Sequence, residues 1–132
     1  MKNSLRTLLG ATFCWSIASL AVAGEPSVSL SGQFEQETGE QLYSSICQGC
    51  HMANGEGAQG AGFYPKLAGN PNLAAKSYPI FVLTHGLGGM PNFKDYLSDK
   101  QIAEVINYVR THFGNHYTDA VTVEDVKIQS QR

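Results

Sequence analysis

Cys47-Gln48-Gly49-Cys50-His51 decides how this 132-residue chain is read. C-x-x-C-H is the spacing at which two thiols add to the two vinyl groups of one porphyrin and fix it as haem c. The histidine that follows lies beneath the iron and offers an imidazole nitrogen as an axial ligand. Other uses of the pair fit less well. A redox dithiol opens a helix after a strand, where the dipole lowers a thiol pKa, whereas this pair closes a helical stretch. Structural zinc needs four ligands, and no second Cys or His pair stands at finger spacing. A plain disulfide would leave His51 without a role.

On the N-terminal side, residues 1–23 read as a secretory signal peptide. Lys2 and Arg6 form a positive start, the run 8–20 is largely apolar, and Ala21-Val22-Ala23 gives a small-x-small cleavage pattern. The run is shorter than the ~20 residues a spanning helix requires. The expected product is therefore periplasmic, with no membrane span after cleavage. Cys14 follows bulky Phe13, which argues against a lipid anchor, and it leaves with the signal. The expected domain covers residues 24–132, with a core of about 34–114 and a tail over 115–132. It keeps only Cys47 and Cys50, and carries seven basic residues against eleven acidic ones, a formal net charge of −4. No basic stripe is present, which excludes nucleic-acid binding. An acidic surface suits a partner with a positive docking face. So small a domain has a thin core, and folding is expected to depend on the apolar surface of the cofactor.

Helical signals dominate the rest. Residues 24–32 are small and polar and read as a loose arm. A first helix is expected over 34–47, with Glu35 and Glu37 in its first turn and an apolar face of Leu42, Tyr43 and Ile46. Gly39 then falls mid-helix, a costly position unless another helix comes close. The glycine-rich run 54–62 either wraps a flat ligand edge or is a flexible loop. Residues 64–67 and 70–71 are turn-like. A short helix capped by Ser77 runs past Pro79 to Gly86, burying Ile80, Leu83 and Leu87. The strongest helix covers 99–113. Ser98 and Gln101 form a capping box, Leu97 and Ile102 a staple, and Ile102, Val105, Ile106, Val109 and Phe113 one face. Gly114-Asn115 ends it. A last turn begins at Thr122, with Asp125 completing a capping box. No strand pattern is evident, so the fold class expected is all-α with long loops.

The sixth iron position has five candidates: Met52, Met90, His85, His112 and His116. Met52 adjoins the proximal histidine and cannot reach the opposite face. His112 and His116 lie at the end of the last long helix and read as surface residues. Met90 sits in Gly88-Gly89-Met90-Pro91, whose glycines allow close approach and whose proline restricts the loop. On that chemistry Met90 is preferred to His85.

The chain resembles class I cytochromes c over nearly all of residues 24–132. The likeness rests on Gly39, Tyr43 and Cys47 at one-turn steps, C-x-x-C-H, the His-x-x-x-Gly-x-Gly continuation, Pro65-Lys66-Leu67-Ala68-Gly69-Asn70, Gly89-Met90-Pro91 and Tyr108. It implies a small cytochrome c-like domain whose first and last helices cross at Gly39, with Tyr43 and Tyr108 packed there. It also implies that the Pro65 carbonyl accepts the other imidazole N–H of His51. Within the class, Asn54-Gly55-Glu56-Gly57, Leu67-Ala68-Gly69-Asn70 and residues 121–126 resemble the single-haem domains serving bacterial periplasmic dehydrogenases. Tyr64 departs from them, where many relatives have a second proline, and so does His85.

The expected protein is thus an electron carrier and not an enzyme in itself. Cys47 and Cys50 would tether the haem, with His51 and Met90 as axial ligands. Its partners would be redox proteins: a dehydrogenase, a respiratory complex or a terminal oxidase. The alternatives are a dedicated subunit of a dehydrogenase complex, or a haem sensor or peroxidase with an open sixth site, for which no distal acid–base group is evident.

Overall fold

The first helix begins at Gly39 rather than Phe34, because Thr38 caps it. The Thr38 hydroxyl accepts from Gln41 N–H and the Gln41 side chain returns to the Thr38 N–H, a reciprocal capping box. Glu35 and Glu37 therefore precede the helix, and Glu40 is the acid in its first turn. The computed structural model describes residues 32–60 and 62–131. The signal-like stretch over 1–23, and all of the expected arm except Gly32, lie outside these residues.

Helix α1 (Gly39–Leu42) passes through a π-helical segment, Tyr43–Cys47, directly into α2 (Gln48–His51). A π turn holds one residue more than an α turn, so the face that follows is rotated by about 100°. A loop then leads to a two-residue ribbon absent from the sequence reading, in which β1 (Ala58–Gln59) pairs antiparallel with β2 (Phe63–Tyr64). Strands this short carry no periodicity to read. A 3-10 turn over Pro71–Ala74, capped by the Asn70 side chain, precedes α3 (Ser77–His85). Ser77 is the first helical residue and Lys76 holds the cap position. Pro79, Ile80, Val82 and Thr84 are the buried residues of α3. Leu87, expected in that face, is 53 % exposed. The helix has already ended at Gly86 (φ +78), so helical spacing no longer governs residue 87.

Helix α4 (Asp99–Thr111) has the expected Ser98–Gln101 capping box, and Ile102, Val105, Ile106 and Val109 are buried. It stops two residues early. His112 is its cap, and Phe113 (φ +56), not only Gly114, takes a left-handed backbone. Phe113 still packs against the core. Helix α5 (Val123–Ser130) starts from the Thr122–Asp125 capping box and buries Val126 fully.

The core joins Leu42 and Tyr43 to Ile102, Ile106 and Val109, and extends through Leu73 and Ile80 to Val121 and Val126. Helices α1 and α4 cross at Gly39. A Cβ there would strike the Glu104 carbonyl oxygen and stand 2.6 Å from the Tyr108 Cβ. The close approach is as expected, but Gly39 occupies the first helical position, where its entropic cost is smaller than in mid-helix. Tyr43 meets Tyr108 at 5.7 Å and Phe113 at 4.7 Å between ring centroids. The fold is thus mostly helical, and among the described residues no helix is long and apolar enough to cross a membrane.

Candidate functional site

Cys47 ends the π segment, and Cys50 and His51 form the last turn of α2. Cys50 is exposed, Cys47 is partly buried and His51 is buried. Cys47 and Cys50 share no disulfide. Burial, reinforced by the neighbouring Cys50, pushes the Cys47 thiol up to about 12. A redox dithiol requires the opposite, a depressed thiol pKa at a helix N-terminus.

Met52 stops the helix by taking φ +64. Its carbonyl accepts from the Tyr43 hydroxyl at 2.7 Å, which ties the helix end back to the α1–α4 crossing. Burial, with Cys47 and Glu56 nearby, raises the Tyr43 phenol to about 12, so it remains a donor at all ordinary pH. The loop then folds onto its own start. Gly57 N–H donates to His51 C=O at 3.0 Å, and Leu67 and Ala68 N–H both donate to Gly55 C=O. A Cβ on Gly57 would strike the Tyr64 carbonyl oxygen and lie 2.8 Å from Lys66 N. These glycines therefore serve backbone-to-backbone approach, a use beyond the two weighed from sequence. That approach brings Pro65 to the histidine: His51 Nδ1 lies 2.9 Å from the Pro65 carbonyl oxygen. With Nδ1 protonated the bond orients the ring and leaves Nε2 as the basic nitrogen.

Met90 is partly buried, in a turn closed by two 3.0 Å bonds with the Leu87 backbone. Gly86 makes this turn compact, since a Cβ there would come within 2.7 Å of the Met90 carbonyl oxygen. His85 is exposed and stacks on Phe81 at 4.7 Å. His112 is exposed and stacks on Tyr108 at 4.1 Å. His116 is exposed and Met52 adjoins His51.

Two residues important to this frame escaped the sequence reading. Asn115, read only as part of a helix stop, is buried and cross-links the loop beyond Pro65. It accepts from Asn70 N–H and donates to Leu67 and Val109 carbonyls. Arg110 is 1 % exposed, and its guanidinium serves the carbonyls of Leu73, Ala74 and Asp119 and the Asp119 carboxylate. An Asn beside Gly after a helix, and an Arg on an otherwise apolar helix face, were the available signals.

The donor set fits a covalently held haem. Two cysteines three residues apart and not joined to each other adjoin an imidazole whose Nδ1 is anchored on a backbone carbonyl. In the sequence between this motif and α4, Phe63, Tyr64, Tyr78, Phe81, Leu87 and Tyr96 are exposed.

Comparison with known proteins agrees. The family profile "Cytochrome C oxidase, cbb3-type, subunit III" matches residues 34–109. The cytochrome c subunit of the quinone alcohol dehydrogenase of Gluconobacter oxydans is 28 % identical over 117 residues, 79 % of this chain and 24 % of that protein. The fructose dehydrogenase cytochrome subunit of Gluconobacter japonicus is 34 % identical over 92 residues, 58 % of this chain and 19 % of that subunit. Cytochrome c-552 of Thermus thermophilus is 35 % identical over 96 residues, 61 % of this chain and 71 % of that protein. The chain spans about a quarter or less of the dehydrogenase subunits it matches. A match over more than half its length, on a helical frame in which the stretch from α1 through α2 ends in C-x-x-C-H, makes this chain a member of the cbb3-type subunit III family of c-type cytochromes, with covalently bound haem c.

Proposed function

We propose that the protein is a periplasmic, single-haem carrier of single electrons that has no catalytic activity of its own. It would take electrons from a dehydrogenase or respiratory complex and pass them to a terminal acceptor. Bound haem supplies a one-electron iron(III)/iron(II) couple. In this reading Cys47 and Cys50 form the thioether tethers, His51 ligates through Nε2, and Pro65 fixes the tautomer and plane of the ring. Met90 would be the second protein ligand, a thioether that favours the reduced metal and raises the potential. With His51 and Met90 both ligating, no position would be left for a substrate.

The observation that carries this reading is the 2.9 Å contact between His51 Nδ1 and the Pro65 carbonyl, beside a cysteine pair at a helix end. The test is expression in a host that matures c-type cytochromes. The secreted product is expected to have the mass of the chain after signal removal plus one haem, and to titrate as a single one-electron couple. A colourless product carrying a disulfide would end the proposal.

A second reading, a dedicated electron-transfer subunit, draws on the names of the relatives, which are cytochrome subunits of alcohol and fructose dehydrogenases. Purification from native periplasm separates the two. A stoichiometric complex supports the subunit; free monohaem protein supports the carrier.

A further inference from the structure

We infer that residues 117–130 act as a strap that holds α3 in place and so sets how readily Met90 leaves the haem iron; this rests on Met90 being the sixth ligand. The strap lies beyond the residues matched by the family profile. It grips the start of α3 by side chains. Lys76 Nζ reaches the Asp125 carboxylate at 3.1 Å and the Ala120 carbonyl at 3.3 Å, and Gln129 Nε2 donates to Ser77 C=O at 2.6 Å. Just ahead, Arg110 joins the carbonyls of Leu73 and Ala74 to Asp119. Asn107 pins the strap to α4 through both the N–H and the C=O of Val121. Buried Val121 and Val126 complete the seam.

The other end of α3 carries the Met90 turn as a rigid extension. Gly86 N–H donates to Val82 C=O at 2.8 Å, Phe93 N–H donates back to Leu83 C=O at 2.7 Å, and the Leu87–Met90 pair closes the turn between them. We take α3 and the Met90 turn to open as one cooperative unit, so that the strap contacts at Lys76 and Ser77 break in the same opening that carries Met90 away and add to its free energy.

The test is cyanide binding to the oxidised holoprotein, whose rate is limited by departure of the sixth ligand. The double variant Lys76→Gln/Gln129→Leu removes the strap's polar contacts with the start of α3, from partly exposed positions, and leaves those of Asn107 and Arg110 in place. It is expected to bind cyanide about tenfold faster, with amide exchange at Gly86 and Phe93 accelerated by a similar factor. Lys100→Gln breaks the exposed 2.6 Å pair with Glu37, away from the strap, and should change neither rate. Met90→Ala should bind cyanide fast whether or not the strap is intact. Parent rates in the double variant, with Met90→Ala fast, would overturn the strap and leave the ligand assignment standing. A slow Met90→Ala would remove the assignment and the strap together.

Discussion

Replacing Gly39 by alanine tests the helix crossing on which the site is built. The added carbon would stand 2.6 Å from the Tyr108 Cβ and closer still to the Glu104 carbonyl oxygen. Carbon atoms pack at about 3.5–4.0 Å, so α1 and α4 must part by about 1 Å. A gap of that size forfeits up to about half of each contact's attraction across the seam. Overpacking ordinarily costs about 1–3 kcal/mol. The upper end applies here, because both obstacles are fixed to the α4 backbone and cannot rotate aside. About 3 kcal/mol in a domain of roughly a hundred residues lowers Tm by about 12–24 °C. The assay is thermal and urea unfolding of the holoprotein by circular dichroism. Gly60→Ala is the control: no atom lies within 4 Å of a Cβ there, and the change should stay within about 0.5 kcal/mol of the parent. A Gly39→Ala protein within about 0.5 kcal/mol of the parent, the range of a neutral surface change, would refute the reasoning.

Cys50→Ala should impair covalent attachment and lower the yield of folded protein, measured as haem per chain after acid–acetone extraction; full loading would contradict the coupling of folding to the cofactor. Met90→Ala should keep its haem but lose midpoint potential in a spectroelectrochemical titration, and an unchanged potential would exclude Met90 as ligand. Arg110→Leu leaves the buried Leu73 carbonyl without its donor and should cost about 1–3 kcal/mol in urea unfolding. Asp125 is held down to about 2 by the Thr122 N–H and hydroxyl and by Lys76. Its unfolded pKa is about 3.9, so its contribution is complete above that value and fades as pH falls toward about 2. In acid unfolding, Asp125→Asn should differ from the parent above pH ~4 and converge with it below pH ~2; a constant gap would contradict the assignment.

What could be read in the sequence was whatever local chemistry dictates. Helices α4 and α5 announce themselves through Ser98–Gln101 and Thr122–Asp125, and α4 also through four apolar residues on one face. Thr38–Gln41 is the same signal, and it marks the true start of α1 better than the acids at 35 and 37. Leu87 was misplaced because helical spacing was carried one residue past the stop at Gly86. Arg110 and Asn115 were harder to read for another reason: most of their partners lie tens of residues away and are backbone groups, which have no sequence signature. The π segment likewise carries no composition of its own, since Tyr43-Ser44-Ser45-Ile46-Cys47 would suit an ordinary helix. The haem-binding motif was legible because covalent attachment demands its residues in one order.

That widened turn bears on transplanting the motif. Copying only Cys47 to His51 onto a regular helix would aim the sulfurs and the imidazole about a third of a turn away from their direction here. A graft meant to reproduce this display has to bring residues 43–46 with it, or insert one extra residue in the turn ahead of the first cysteine.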